Sequence, residues 1–268
     1  MRSLLLLSAL AACGTTPAVD ELDNSWVLVW SDEFDGAAGS APSAENWTPD
    51  VGGDGWGNEQ LEHNTDRTDN AFHDGEGHLV LRAQREDYEG NEYTSARLTT
   101  AGKVEYGPAR IEGRIRVPRG QGIWPAFWLL GADFPDVGWP ACGEVDILEL
   151  RGEAPETSIA TVHGPGYSGG DSVSGTTTLV GGETFADDFH TYAVDIDPEH
   201  LVFWVDGERI HTVRPGDLPA GTGWVLDGPF FVILNVAVGG QFLEPPTDDT
   251  PFPADMVVDY VRIYERAR

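Results

Sequence analysis

The chain has 268 residues, with 45 acidic against 16 basic side chains and a formal charge of −29. A surface of that sign repels phosphate, which speaks against nucleic acid as a partner and against polyanionic ligands in general. The length is enough for one large all-β domain, and no apolar run reaches the roughly 18 residues that a membrane-spanning helix requires.

Residues 1–13 read MRSLLLLSALAAC: one arginine, a short apolar run, then Leu10-Ala11-Ala12-Cys13. This is the pattern of a short export signal. Its end resembles a bacterial lipobox, in which the cysteine is lipidated and becomes the mature N-terminus. The expectation is a lipid anchor at Cys13, a polar tether over residues 14–25 and a domain over residues 26–268. The protein would then be exported and held at the bacterial cell surface or outer membrane, touching the membrane only through that anchor. An ordinary export signal that happens to contain a cysteine is the alternative, and would leave the protein secreted. With Cys13 in the signal segment, the second cysteine, Cys142, gives no disulfide framework.

From Trp26 onward the pattern is strands and turns. Trp26 to Trp30 (WVLVW), His78 to Ala83 (HLVLRA) and Ala109 to Val117 (ARIEGRIRV) read as strands, the last alternating charged and apolar residues as a half-exposed antiparallel strand does. Ile123 to Leu130 is apolar and aromatic. His190 to Asp197, Leu201 to Val205 and Glu208 to Val213 give three more strands, the last two joined at Asp206-Gly207, a strong hairpin signal. Phe230 to Val238 (FFVILNVAV) is a continuous apolar run, and Met256 to Tyr264 (MVVDYVRIY) closes the series. Long helical periodicity and internal repeats are absent. Many short strands at close spacing predict a β-sandwich or barrel.

The chemistry concentrates in Gly143-Glu144-Val145-Asp146-Ile147-Leu148-Glu149. Carboxylates rarely enter an aliphatic strand unless they are paired or used. Glu144 and Asp146 share a face because strand side chains alternate. Glu149 is out of phase by one residue, and one bulged residue within Ile147-Leu148 would return it to that face. The two glutamate Cα atoms would then span on the order of 13 Å. Side chains leaning together could approach the ~5–5.5 Å carboxyl separation of a retaining glycosidase. One glutamate would attack an anomeric carbon, and the other would protonate the leaving oxygen and then activate water. Asp146, between them, could share a proton with a neighbour and hold the two glutamates at different pKa values. Two other readings fit less well. An exposed acidic edge strand would not be aliphatic between its acids, and a Ca²⁺ loop is built from Gly, Asn and carbonyl-presenting turns rather than Val-Ile-Leu.

GEVDILEL resembles the E-x-D-x-x-E signature of family 16 glycoside hydrolases, with the longer, laminarinase-type spacing. The resemblance extends over residues 26–268, through Trp56-Gly57-Asn58-Glu59, Tyr93-Thr94-Ser95-Ala96-Arg97-Leu98, Gly122-Ile123-Trp124-Pro125-Ala126-Phe127-Trp128, Trp139-Pro140, Thr161-Val162-His163-Gly164, Leu234-Asn235-Val236-Ala237-Val238-Gly239-Gly240 and Val258-Asp259-Tyr260-Val261-Arg262. It implies an all-β, concanavalin A-like jelly-roll sandwich of two antiparallel sheets with a concave substrate cleft. It implies endo-hydrolysis of β-1,3-glucan with net retention, on a neutral β-glucan polysaccharide and with no catalytic cofactor. By the motif Glu144 is the nucleophile, Asp146 the assisting acid and Glu149 the acid/base; only the resemblance says which glutamate has which role.

A neutral sugar polymer needs flat aromatic platforms and hydrogen-bonding side chains. By resemblance Trp124, Trp128 and Trp139 line the cleft, Asn58 and Arg97 bind sugar in the glycone subsites, and His163 assists near the acid/base on a neighbouring strand. Phe127 is assigned to the core and Cys142 to a buried, inert thiol. The family commonly has tyrosines where this chain has His63 and Asn64, a departure that touches the fine subsite contacts. The resemblance also implies a structural Ca²⁺ away from the cleft, at Glu33, Gly77 and Asp259, held largely by backbone carbonyls and one aspartate. A monomer is expected. The alternatives are a same-fold hydrolase or transglycosylase acting on mixed-linkage glucan or a galactan, and a non-catalytic carbohydrate-binding protein.

Overall fold

A computed structural model describes residues 26–267. Cys13, the signal segment of residues 1–13 and the tether of residues 14–25 lie outside the described residues. Eighteen strands follow one another: β1 (Trp26–Asp32), β2 (Thr48–Pro49), β3 (Glu62–Asn64), β4 (Ala71–His73), β5 (Leu79–Tyr88), β6 (Asn91–Ser95), β7 (Arg97–Thr99), β8 (Glu105–Tyr106) and β9 (Arg110–Arg116). Then come β10 (Ile123–Gly131), β11 (Glu144–Leu150), β12 (Thr157–His163), β13 (Val173–Thr178), β14 (His190–Asp197), β15 (His200–Val205), β16 (Glu208–Val213), β17 (Phe230–Val238) and β18 (Ala254–Arg266). The described α-helix is a single turn, Phe134–Val137. The fold is the jelly-roll β-sandwich anticipated from the sequence.

One sheet has ten strands, with the path β16-β15-β14-β9-β18-β5-β6-β3, β1 pairing with β18 and β4 with β5. The other has eight, with the path β13-β12-β11-β10-β17-β7-β2 and β8 on β17. Pairing is antiparallel except between β3 and β6, which run parallel. The core between the sheets draws Leu79, Leu81, Ile111, Ile115, Met256, Val258 and Val261 from the first, and Phe127, Leu129, Val145, Leu148, Val162, Val232 and Leu234 from the second.

Strand β17 shows why its sequence is apolar throughout. It sits in the middle of the eight-stranded sheet, and all nine residues are buried. Phe230, Val232, Leu234, Val236 and Val238 enter the main core, whereas Phe231 and Ile233 join Leu130 and Cys142 in a small apolar cluster beneath the opposite face. A strand covered on both faces loses the polar alternation of a half-exposed one. The β15–β16 hairpin turns at Asp206 (φ 50°) and Gly207 (φ 76°), the left-handed pair that a two-residue turn requires.

Strand β13 was not apparent from the sequence. Its segment, Val173-Ser174-Gly175-Thr176-Thr177-Thr178, carries hydroxyls on one face and little apolar bulk on the other, so no hydrophobic period marks it. It is nonetheless the edge of the eight-stranded sheet, paired along its length with β12.

Candidate active site

The site is built on the outer face of the eight-stranded sheet, and β11 provides its centre. Against β12, Asp146 pairs with Thr161 and Glu149 with Ile159, so Ile147 and Leu148 together oppose Ala160 alone. Against β10, Leu148 pairs with Phe127 and Asp146 with Trp128, which leaves Ile147 as the extra residue. This is the bulge that the spacing of the acids demands. Ile147 and Leu148 both enter the core, and the parity of the strand is reset so that Glu149 stands with Glu144 and Asp146.

Register across the sheet places side chains in rows. Arg97 (β7), Asn235 (β17), Ala126 (β10), Glu149 (β11), Ile159 (β12) and Thr176 (β13) stand side by side. The adjacent row runs Thr99, Ile233, Trp128, Asp146, Thr161, Ser174, and Glu144 pairs with His163 in the next. Such rows are cross-strand neighbours on one face, close enough to interact.

The two glutamates each accept an indole N–H, and Asp146 does not. Trp139 Nε1 donates to Glu144 Oε2 at 2.5 Å, and Trp124 Nε1 donates to Glu149 Oε1 at 3.1 Å. Asp146 Oδ2 is buried without a hydrogen-bond partner, although His163 Nε2 lies only 3.1 Å away. The backbone N–H of Gly169 donates to His163 Nδ1 at 3.2 Å. Nδ1 is therefore the unprotonated nitrogen, and Nε2 carries the proton. Glu144 Oε1 is 3.9 Å from the same Nε2.

Burial raises the pKa of all three acids, and mutual repulsion adds to it. Glu144 is pushed up to about 8, first by burial and then by the charge of Asp146, with His163 and the Trp139 indole opposing. Glu149 is pushed up to about 7 by burial and by Glu144, opposed by His163, Trp124 and the hydroxyl of Thr161. Burial and the charge of Glu149 raise Asp146 well above the usual carboxylate range. The cluster therefore retains protons at neutral pH, and with Glu144 standing above Glu149, Glu144 can act ionised only when its proton passes to a neighbouring carboxyl. Cys142, in the small apolar cluster with Leu130, Phe231 and Ile233 on the same face as the site, is raised to about 11 by burial and is not a nucleophile at neutral pH.

Glu144, Asp146 and His163 bring ligand atoms within 4.8 Å of one another, close enough to ask whether a cation could bind. The His163 tautomer argues against it: with Nδ1 accepting from Gly169, Nε2 presents a proton rather than a lone pair.

On one side of β11 the walls are aromatic and cationic. Trp128 donates from Nε1 to Asn235 Oδ1 at 2.7 Å. The Arg97 guanidinium lies 4.9 Å from the Trp56 ring centre and 4.8 Å from that of Trp128, and its Nε bonds Asp50 Oδ2 at 3.0 Å. Trp124 packs on Phe242, ring centres 4.8 Å apart. Asn58 lies in the loop between β2 and β3. Its side-chain oxygen accepts from Gln60 at 2.9 Å and its carbonyl from the Gln241 N–H at 2.8 Å. Trp139 is 48 % exposed, a half-open ring above Glu144. His63 and Asn64, where the sequence departs from the family's tyrosines, are buried in β3.

Several residues at the site carried no sequence signal as individuals. Asp50 and Trp56 come from a Gly-rich loop, Asn235 from the apolar run of β17, and Thr161 from a strand recognised only through its histidine. Glu62 is a buried carboxyl on β3, held by the Val238 N–H at 2.8 Å and raised to about 8 by burial.

Glu33, Gly77 and Asp259 belong to the region of β1, β5 and β18, in the ten-stranded sheet. Arg262 holds the Glu33 carboxylate through two bonds of 3.0 and 2.8 Å, and Arg114 holds Asp259 Oδ2 at 2.5 Å. Backbone oxygens and one carboxylate are hard donors of the kind Ca²⁺ takes, but the charge of Asp259 is already shared with an arginine.

Residues 58–256 match the family described as glycosyl hydrolases family 16. The chain is 41% identical to the beta-glucanase of Rhodothermus marinus, covering 98% of this chain and 94% of that protein. The endo-beta-1,3-glucanase structure from Pyrococcus furiosus superposes with a TM-score of 0.86 at 43% identity, covering 94% of this chain and 99% of that one. The laminarinase catalytic domain of Thermotoga petrophila gives 0.85 at 43%, covering 91% and 99%.

Proposed function

The chain belongs to glycosyl hydrolase family 16, and from that membership we propose that it cleaves internal β-1,3-glucosidic bonds of laminarin-like glucans with net retention. The observation that carries the reading is the bulge at Ile147, which sets Glu144, Asp146 and Glu149 on one face beside an aromatic wall. Relatives described as an endo-beta-1,3-glucanase and a laminarinase support the choice of polymer.

In the reaction so assigned, the ionised Glu144 attacks the anomeric carbon of the glucosyl unit before the scissile bond. The C1–O bond breaks as Glu149 gives its proton to the departing oxygen, leaving a glycosyl ester on Glu144. Water then gives a proton to Glu149 and attacks C1, the ester bond breaks, and Glu144 is released. Two inversions give retention. Asp146 takes up the proton that would otherwise neutralise Glu144, with His163 Nε2 3.1 Å from its carboxyl. The Trp139 indole N–H favours the ionised Glu144. The flat faces of Trp128 and Trp139 suit pyranose rings, and the Arg97 guanidinium, fixed by Asp50, offers donors to hydroxyls.

The test is digestion of laminarin and of mixed-linkage glucan, with the anomeric form of the first products followed by proton NMR. Internal cleavage of laminarin with β-products appearing first supports the reading. α-Products first, or cleavage of mixed-linkage glucan alone, overturns it. A carbohydrate-binding protein without chemistry would release no reducing ends.

Two extensions of the reading have their own tests. Lipidation at Cys13 places the enzyme at the bacterial cell surface, and Cys13→Ala then releases it into the medium; unchanged membrane association contradicts this. A structural Ca²⁺ would draw on carbonyls at Glu33 and Gly77 and on Asp259. A Tm that rises with Ca²⁺ and falls with a chelator supports it, and an unchanged Tm overturns it.

A further inference from the structure

Trp124, whose indole N–H bonds Glu149 Oε1 at 3.1 Å, is itself held from outside its strand. The segment that follows β17 lies directly against the turn that feeds β10. The Gly239 N–H bonds the Gly122 carbonyl at 2.8 Å, Gln121 Nε2 donates to the Pro245 carbonyl at 3.0 Å, and a Cβ on Gly122 would stand 2.4 Å from the Pro246 nitrogen. From this segment Phe242 reaches Trp124, with the ring centres 4.8 Å apart and the planes tilted by 42°. Past Glu149 the chain runs on to Gly152, whose N–H bonds the Ile123 carbonyl at 2.8 Å, so that Arg151 comes up beside Trp124. The Arg151 guanidinium lies over the Phe242 ring, 4.2 Å from its centre. Although the chain carries 45 acidic side chains, the exposed Arg151 has this ring rather than a carboxylate as its partner among the described residues.

Resting on the glucanase reading, we propose that Phe242, capped by Arg151, is a positioning residue: it fixes the plane of the Trp124 indole so that its N–H stays on Glu149. An indole has a single N–H and turns about two side-chain bonds, so it meets a given acceptor in only one orientation. Trp124 is half-buried, and burial alone does not select that orientation. The tilted Phe242 ring supplies the second contact, and the guanidinium over Phe242 keeps that ring in place. The other titratable groups acting on Glu149 are Glu144 and Asp146 on its own strand and His163 on β12. Phe242 carries neither charge nor hydrogen-bonding group, so its influence on Glu149 passes through Trp124.

The pH profile of kcat/KM on laminarin tests this in wild type, Phe242→Ala, Phe242→Tyr, Trp124→Phe and the double variant Phe242→Ala/Trp124→Phe. Without its neighbour, Trp124 leaves Glu149 for part of the time. Phe242→Ala is therefore expected to move the alkaline limb to higher pH by about 0.3–1 unit, toward its position in Trp124→Phe. Phe242→Tyr keeps the ring and should leave the limb at its wild-type position. In the Trp124→Phe background Phe242→Ala should add nothing, because the bond it protects is already gone. A limb that stays in Phe242→Ala, with or without a higher KM, overturns the proposal, and so does a shift of the same size in the double variant. Arg151→Gln, a surface change that serves should Phe242→Ala fail to fold, is expected to move the limb the same way by a smaller amount, and only while Trp124 is present. A shift that survives Trp124→Phe is the charge of Arg151 acting through space and overturns the clamp. Wild-type protein that does not turn over laminarin overturns the glucanase reading instead, and is told apart because it precedes any substitution.

Discussion

Three carboxyls on one strand face cannot all ionise cheaply, and each glutamate accepts an indole N–H that favours its ionised form. Trp124 donates to Glu149, which stands at about 7. The donated bond favours the ionised form, so removing it raises the pKa of Glu149. Glu149 must be protonated to deliver its proton, and activity is lost as pH rises through its pKa. Trp124→Phe is therefore expected to move the alkaline limb of kcat/KM to higher pH by about 0.5–1 unit, the equivalent of one hydrogen bond. A pH–rate profile checks this, and a limb that stays or moves down contradicts it. The acids were legible in the sequence because Val145, Ile147 and Leu148 make them costly to place unless used. Asp50 and Asn235 were not, since an aspartate in a Gly-rich loop and one amide in an apolar run each have ordinary explanations. Their roles appear only once β7, β17 and β10 are side by side.

At the level of the strand, parity carried the information. An E-x-D-x-x-E pattern in an unbroken strand sends one glutamate into the core, so the bulge could be inferred before it was seen, and Ile147 is that residue. The entry to the strand is equally constrained. Gly143 has φ 76°, and a Cβ there would come within 2.7 Å of the Val225 carbonyl oxygen. Gly143→Ala should then cost about 1–3 kcal/mol of stability, seen as a lower urea midpoint, and should displace Glu144 enough to reduce kcat. An unchanged midpoint would mean that the turn yields without cost. Strand β13 was illegible for the opposite reason. With hydroxyls on one face and Gly175 on the other, it has no period to read, and only pairing with β12 makes it a strand.

For the molecule as a whole, the sandwich supplies a rigid floor and the charge surrounds it. A formal charge of −29 opposes compaction through self-repulsion. Raising NaCl from about 10 mM to about 0.5 M shortens the screening length several-fold, and Tm is expected to rise by several degrees; a Tm that falls would mean that attractive pairs such as Arg110 with Glu112 and Asp195 outweigh the repulsion. The same charge leaves a neutral polymer free to approach. That the strands would close over one core as a sandwich or a barrel was legible from their number and spacing; the two-sheet sandwich was implied by the family resemblance, and the order of strands within each sheet was legible in neither. The central claim is that Glu144 carries the glycosyl group between the two displacements. A 2-deoxy-2-fluoro-β-laminaribiosyl fluoride forms that ester and hydrolyses it slowly, so peptide mass spectrometry of the treated protein reads the attachment point directly. The account predicts one added disaccharide on Glu144; attachment at Asp146 or Glu149, or turnover with no covalent species at all, would contradict it.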